Sequence, residues 1–125
     1  MSKLLTDLEL KVMNVLWELR KGFVKDILAN WPESDPPAYN TVSTILRILE
    51  EKEFVGHKAY GRSHEYFPLT KQEIYQSRAL GSMIKDVFAG SMTSLVSALA
   101  EQRNLSNTER KALQKLIDAY ESNKA

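Results

Sequence analysis

Three short polar side chains and one arginine recur in the segment from Asn40 to Arg47. At helical spacing they share one face within about 100° of one another, opposite an apolar stripe: Asn40, Ser43, Thr44 and Arg47. Ser, Thr and Asn are small enough to approach the edges of bases, and an arginine can pair with a guanine or a phosphate. The pattern therefore predicts a helix whose first half enters a DNA major groove.

The acidic residues of this segment, Glu50, Glu51 and Glu53, all lie at its far end. Their separation from the polar start favours a surface that meets an anion, because a merely solvated helix usually mixes Glu and Lys along its length. Free backbone N–H groups beside Ala38 and Tyr39 can also hold a phosphate. A short polar surface without a ligand is the alternative that this helix alone leaves open.

A second group of polar residues surrounds a predicted turn at residues 58–64, Lys-Ala-Tyr-Gly-Arg-Ser-His. Its two fixed cations, Lys58 and Arg62, can lie along a phosphate backbone or reach into a minor groove. A hairpin that is only solvated would have the same composition, so phosphate contact is a hypothesis for both. Tyr66 and Phe67 are predicted to pack in the core instead.

The remaining residues do not point to catalysis. The chain has no cysteine, and its two histidines, His57 and His64, lie on opposite arms of one predicted hairpin with Glu65 adjacent. No zinc-binding His-Glu-x-x-His, nucleophile-elbow or phosphate-cradling glycine motif accompanies them. A zinc site from these three residues is geometrically possible, but two surface histidines are the expected interpretation. We therefore predict a protein that is not an enzyme and that needs no metal or cofactor.

The elements that must position these residues follow from the apolar periodicity. A capping box formed by Thr6 and Glu9 opens a first helix, and proline stops a short second one. A third helix runs from about Tyr39 to Lys52, and two short strands follow it around a glycine turn. The predicted fold class is mainly α with a small β-hairpin wing, a winged helix-turn-helix domain over residues 1–69.

Three further helices are predicted over residues 70–125, with capping boxes at Thr70 and Ser106. They make a poor core by themselves, because an amphipathic helix needs a partner for its apolar face. We expect a dimerisation domain that pairs with its copy, although packing onto the chain's own N-terminal domain stays open from the residues alone. The residues expected in the dimer contact are Leu80, Ile84, Val87, Phe88, Leu95, Leu99, Leu113, Leu116, Ile117 and Tyr120.

Composition agrees with an ordinary globular chain, with 125 residues, 17 basic against 16 acidic and a net charge of +1. DNA binding must therefore rest on where charges are placed rather than on overall basicity. Charged residues occur too early in the N-terminal sequence for the apolar region of a signal peptide to form. No apolar run approaches the roughly 20 residues of a membrane span. We expect a cytoplasmic protein without direct membrane insertion.

Several stretches of the sequence together resemble one known family. Residues 6–17 read Thr-Asp-Leu-Glu-Leu-Lys-Val-Met-Asn-Val-Leu-Trp, residues 40–46 read Asn-Thr-Val-Ser-Thr-Ile-Leu, and residues 49–52 read Leu-Glu-Glu-Lys. They are similar to the penicillinase-repressor (BlaI/MecI) family of bacterial transcription regulators, and the similarity continues through Met-Thr-Ser-Leu-Val at residues 92–96. The first-helix pattern is more specific than a general helix-turn-helix match.

The resemblance implies a homodimeric repressor that binds a pseudo-palindromic operator through two winged-helix domains. In that family a membrane-bound sensor protease, responding to a β-lactam or another signal, leads to a cut in the dimerisation region. Each half-site alone binds weakly, so breaking the dimer forfeits the effective concentration of the second domain and releases the DNA. Together with the residues above, the expected DNA contacts are Ala38, Tyr39, Asn40, Thr41, Ser43, Thr44, Arg47, Lys58 and Arg62.

The chain departs from the family pattern at several places. Ile48 stands where members often carry Arg, and Ala98-Leu99 aligns with the Asn-Phe dipeptide that is cut in the best-known members, so the expected cleavage region has a different dipeptide. Copper-responsive relatives carry Cys-x-Cys motifs, and this chain has no cysteine. One alternative function remains, a winged-helix module that binds protein rather than specific DNA, which the near-neutral charge favours.

Overall fold

A computed structural model describes residues 4–102 and 105–124, but not the side chains of Ala100, Leu116, Ile117, Ala119 and residues 120–124. Its elements confirm the predicted fold class, mainly helical with an antiparallel hairpin. By internal contacts, one compact unit ends at Leu80 and a second begins at Gly81. The elements are α1 (Asp7–Leu19), α2 (Val24–Ala29), α3 (Tyr39–Glu51), β1 (Val55–Tyr60), β2 (Ser63–Pro68), α4 (Gln72–Asp86), α5 (Met92–Ala100) and α6 (Asn107–Lys124).

The predicted capping box at the start of α1 is confirmed. Glu9 N–H donates to Thr6 Oγ1 at 3.2 Å, and Thr6 N–H donates to Glu9 Oε1 at 2.9 Å, so two backbone donors of the first turn are satisfied. The helix closes at Arg20, whose φ of 73° is left-handed and whose N–H donates to the Leu16 carbonyl. The chain then turns towards α2 through Gly22.

The core of the first unit forms where α1, α2 and α3 pack together with the hairpin. The apolar stripe predicted for α3 lies entirely inside it, which fixes the opposite face of α3 outward. Gly22 N–H donates to the Tyr66 carbonyl at 2.9 Å and Tyr66 N–H to the Gly22 carbonyl at 2.8 Å, so the α1–α2 connection is joined to the hairpin. The buried residues of the α3 stripe are Val42, Ile45, Leu46 and Leu49.

The hairpin is antiparallel, with Val55 opposite Pro68 and Tyr60 opposite Ser63. Two residues form its turn, and Gly61 adopts a φ of +62°, a conformation that a residue without Cβ reaches without strain. This confirms the two strands predicted around a glycine turn.

The start of α4 differs from the predicted capping box. The hydroxyl of Thr70 donates to the Glu53 carbonyl at 3.3 Å, and its N–H donates to the Phe54 carbonyl. The helix begins later, at Gln72, and its Tyr75 is buried in the core of the first unit. The first compact unit therefore extends past residue 69, where the sequence placed the domain boundary, because a side chain of α4 completes its core.

The second unit contains the end of α4 with α5 and α6. Helix α4 ends at Asp86, earlier than the predicted end at about Ala89. Ala89 and Gly90 both have a positive φ, and the chain turns at these two residues. The capping box predicted at Ser106 is confirmed by hydrogen bonds of 3.0 and 3.1 Å with Glu109. No helix within the described ranges is both long enough and apolar enough to cross a membrane.

Candidate nucleic-acid interface

The outer face of α3 carries the polar residues that the sequence predicted there. Asn40, Thr44 and Arg47 are exposed, and Ser43 is half-buried. Thr41 is exposed as well. Small hydrogen-bonding side chains therefore lie along the exposed face of α3, and the opposite face is buried in the core. A helix that reads a DNA groove has this arrangement.

The first turn of α3 is open to an anion. Ala38 precedes the helix in an extended conformation, with φ −66° and ψ 153°, and provides no side-chain cap for the N–H groups of this turn. Tyr39 at the helix start is 58% exposed. Uncapped N–H groups at the positive end of a helix dipole attract a phosphate.

An open cavity of about 380 Å³ lies between α3, the start of α2 and the hairpin. Ser43 and Arg47 of α3 line it together with Arg62 of the turn, so the structure brings these predicted residues to one surface. Tyr39 also borders it. The other predicted DNA contacts do not line the cavity. Asn40, Thr41 and Thr44 lie on α3, Ala38 lies just before it, and Lys58 lies on β1.

Sequence reasoning missed Lys25 as a residue of this surface, and it placed His64 in the group around the hairpin turn without predicting a DNA contact for it. Both line the cavity, Lys25 from α2 and His64 from β2. Lys25 is not part of a recognisable sequence motif, because a single lysine in a short helix is common on protein surfaces. Only the packing of α2 beside α3 places its charge near Arg47.

The cavity cations are available to an outside anion. Within the described residues, close contacts between basic and acidic side chains join Lys11 to Glu33, Lys52 to Glu9 and the His57 ring to Glu50, and none of them uses Lys25, Arg47 or Arg62. Three positive side chains without an acidic partner around one concavity produce a local positive potential despite a net charge of +1. A phosphate backbone fits that potential.

One acidic residue of α3, Glu50, contacts the hairpin. His57 Nδ1 lies 2.6 Å from Glu50 Oε2, and the His57 ring stacks on His64 with centroids 4.1 Å apart. This contact joins β1 to the far end of α3 and gives the Glu50 carboxylate a partner. Across the described parts of the chain, no group of three His, Cys, Asp or Glu side chains is arranged to hold a metal ion.

Aromatic packing fixes the hairpin beside the helices. Tyr66 is 3% exposed, as predicted for a packing residue, and burial raises the pKa of its phenol, with the negative charge of Glu50 adding to the effect. The ring of Tyr60 lies 5.8 Å from that of Phe23, and Lys58 Nζ lies 5.3 Å from the Tyr60 centroid. These contacts limit the positions that the turn can adopt relative to α3.

The residues predicted for a dimer contact differ in their exposure within one chain. Leu80 is 46% and Val87 70% exposed, whereas Leu95 is buried at 7%. Ile84, Phe88, Leu99 and Leu113 are half-buried. The side chains of Leu116, Ile117 and Tyr120 lie outside the described residues. Ala98 and Leu99, the expected cleavage region, lie inside helix α5.

An exposed polar helix beside a hairpin, with unpaired cations around the concavity between them, defines a winged-helix DNA-binding protein. The sequence model of the penicillinase repressor family matches residues 5–119, and the chain belongs to that family. Proteins of this family are transcriptional repressors and not enzymes. The family resemblance drawn from the sequence is thereby confirmed.

Curated relatives are similar over most of their length. The methicillin resistance regulatory protein MecI of Staphylococcus aureus (strain N315) is 23% identical over 110 residues, which cover 88% of this chain and 89% of the relative. The penicillinase repressor of Bacillus licheniformis is 23% identical over 120 residues, covering 96% and 94%. A solved structure of the CopR repressor matches with 33% identity and a TM-score of 0.45, covering 55% of this chain and all of that one.

Proposed function

We propose that this protein is a homodimeric repressor that binds a pseudo-palindromic operator in double-stranded DNA. Each head, the unit ending at Leu80, places α3 in a major groove and lays its hairpin along the adjoining backbone. The observation that carries the proposal is that Arg47 and Arg62, from two separate elements, line one cavity without acidic partners among the described residues.

The two arginines have different roles in this proposal. Arg47 lies on α3 in line with Ser43 and Thr44, so it reads a base edge in the groove. Arg62 lies at the hairpin turn, where it contacts phosphates and contributes to the affinity for any duplex. Lys25 adds a further phosphate contact from α2.

The dimer is supported by apolar side chains left exposed towards the end of α4 and just after it. Leu80 lies on α4, and Val87 follows its last residue, but the Val87 N–H still donates to the Met83 carbonyl at 2.8 Å. Leu80 and Val87, seven residues apart, therefore lie close to one helix face. A second copy of the chain supplies an apolar surface that covers this face. Two linked heads bind two half-sites with a strongly increased effective concentration, which a single head lacks.

Release from DNA is proposed to follow a cut near Ala98 and Leu99, made in response to a membrane-bound sensor protease. Both residues are half-buried in helix α5, and a protease needs an extended chain, so α5 must open before cleavage. The names of the relatives support antibiotic-resistance genes as the regulated class. The cytoplasm is the proposed compartment, because that is where a bacterial operator lies.

The test compares wild type, Arg47→Ala and Arg62→Ala on a fluorescent duplex from the promoter region beside the coding sequence and on a random duplex. Arg47→Ala should lose about 1–3 kcal/mol on the promoter duplex and far less on the random one. Arg62→Ala should weaken both similarly and flatten the salt dependence. Arg78→Ala, an exposed arginine of α4 outside the cavity, is the control and should bind as wild type does.

Two outcomes would contradict parts of the proposal. Equal losses on both duplexes for Arg47→Ala would remove its base-reading role. A wild-type protein that binds every duplex equally, with both arginine variants unchanged, would instead favour the alternative of a winged-helix module for protein partners.

A further inference from the structure

Three rings lie together on the face of the hairpin that packs against the head. His57 is opposite Tyr66 in the strand register, and His64 precedes Tyr66 by two residues. Because side chains alternate along a strand, all three point to the same face. The rings of His57 and His64 lie 5.6 and 6.2 Å from that of Tyr66, which is buried.

The two histidine rings are held by one another and by α3. They are stacked, with centroids 4.1 Å apart and planes 12° from parallel. His57 Nδ1 lies 2.6 Å from Glu50 Oε2 of α3. A short contact to a carboxylate fixes the orientation of an imidazole ring. Glu50 therefore orients His57, and the stacked His57 ring orients His64.

His64 keeps its ring nitrogens available. It lines the cavity together with Arg47 of α3 and Arg62 of the turn. Among the residues that the structure describes, no group forms a hydrogen bond with the His64 ring. Stacking uses the face of a ring and leaves its edge open, and an imidazole carries at least one N–H in either neutral tautomer and in the cation. His64 thus presents a donor to an anion in the cavity.

We propose that His64 is a DNA-binding residue that donates a hydrogen bond to a backbone phosphate, and that Glu50 and His57 are positioning residues for its ring. The inference rests on the proposed function and adds a contact from β2 to those of the two arginines. It also gives a role to an acid beside a surface that meets phosphates. By its charge the Glu50 carboxylate would repel DNA, but it holds the ring that orients a DNA contact.

The first experiment separates a phosphate contact from a packing role at position 64, with the full chain on the promoter duplex and the random duplex. His64→Phe keeps a flat ring on His57 but has no donor, whereas His64→Gln has an N–H donor and no ring. We expect His64→Phe to weaken binding to both duplexes by about tenfold, because phosphates carry no sequence information. His64→Gln should stay within about threefold of wild type. A packing role reverses this order.

The second experiment compares Glu50→Ala with Glu51→Ala. The two variants remove the same charge at adjacent positions of α3, but within the described residues only the Glu50 carboxylate has a partner. Loss of an acid near phosphates would by charge alone tighten binding. We expect Glu51→Ala to bind at least as tightly as wild type, and Glu50→Ala to bind both duplexes about three- to tenfold more weakly. Added to His64→Phe, Glu50→Ala should cause no further weakening, because it acts through the His64 ring.

Circular dichroism establishes that each variant is folded. A His64→Phe protein that binds as wild type does, or more tightly than His64→Gln, overturns the phosphate contact. If a His64 variant does not fold, the two glutamate variants decide, and a Glu50→Ala protein that binds as tightly as Glu51→Ala overturns the inference. A Glu50→Ala loss that persists in His64→Phe overturns the positioning role.

In each of these cases a wild-type protein that prefers the promoter duplex leaves the proposed function intact. A wild-type protein without that preference defeats the proposed function itself, and the inference with it.

Discussion

The two units of the chain bury their apolar residues to very different extents. The head forms one cluster of fourteen buried residues drawn from α1, α2, α3, the hairpin, the start of α4 and Phe54 just before β1. In the second unit, as far as side chains are described, Leu95 is the single buried hydrophobic residue, while Met83 and Val87 stay exposed. The head thus has a complete core, and the second unit has apolar surface left over.

The difference has an energetic reason. Apolar area removed from water contributes about 25 cal/mol per Å², so a unit in which Leu95 is the one buried hydrophobic side chain among those described gains little from its own packing. Apolar surface that remains exposed on a helix marks an interaction site. In the proposed dimer, the head is stable within one chain and the helical unit is completed by its copy.

The largest expected effect is at the apolar surface left exposed towards the end of α4 and just after it. The double variant Leu80→Asp, Val87→Asp should be monomeric by sedimentation, because burying two carboxylates without partners is costly. Its operator affinity should fall by about 10²–10⁴-fold through loss of the linked second head. Gln76→Asp, an exposed polar position of the same helix, is the control and should stay dimeric. A double variant that stays dimeric would contradict the view that this exposed apolar surface is covered by a second copy of the chain.

The next effect lies inside the head. Leu46→Ala should lower the free energy of unfolding by about 3 kcal/mol, because Leu46 is fully buried at 0% exposure and the space cannot refill. Ile48→Ala, on the same helix but 37% exposed, should cost less than about 1 kcal/mol. Urea unfolding followed by circular dichroism gives both values. An equal loss of unfolding free energy in the two variants would contradict the placement of Leu46 in a closed core.

The smallest effect concerns an ion pair that supports the head. Burial alone would raise the pKa of Glu9, but the Thr6 N–H and the Lys52 ammonium, 2.9 Å away, outweigh it and hold the pKa below its usual 4.5. A carboxyl with a lowered pKa stabilises the folded state above its unfolded pKa and loses that contribution as the pH falls through the folded pKa. Acid should therefore weaken the head below about pH 4.5.

The variant Glu9→Gln isolates this contribution. At pH 7 it should be less stable than wild type by about 2 kcal/mol, the range for a hydrogen bond to a charged group. At pH 3 the difference should shrink towards zero. Chemical unfolding at both values measures it, and a difference that does not change between them would contradict the assignment.

Much of the fold was predictable because its signals are local. The buried stripe of α3, the capping boxes at Thr6 and Ser106 and the turn at Gly61 each depend on residues within a few positions of one another. The capping box expected at Thr70 was wrong for the opposite reason. Its hydroxyl and N–H were taken by the carbonyls of Glu53 and Phe54, seventeen and sixteen residues away.

The sequence by itself determined which face of α3 is buried and which is polar, since helical periodicity alone separates Leu46 from Arg47. The tertiary structure decided what that polar face meets. It brought Lys25 and Arg62 to the same cavity, and it joined Leu5 to Tyr75, seventy residues apart. Such contacts leave no trace in local spacing, because they depend on how whole elements pack to bury their apolar surface.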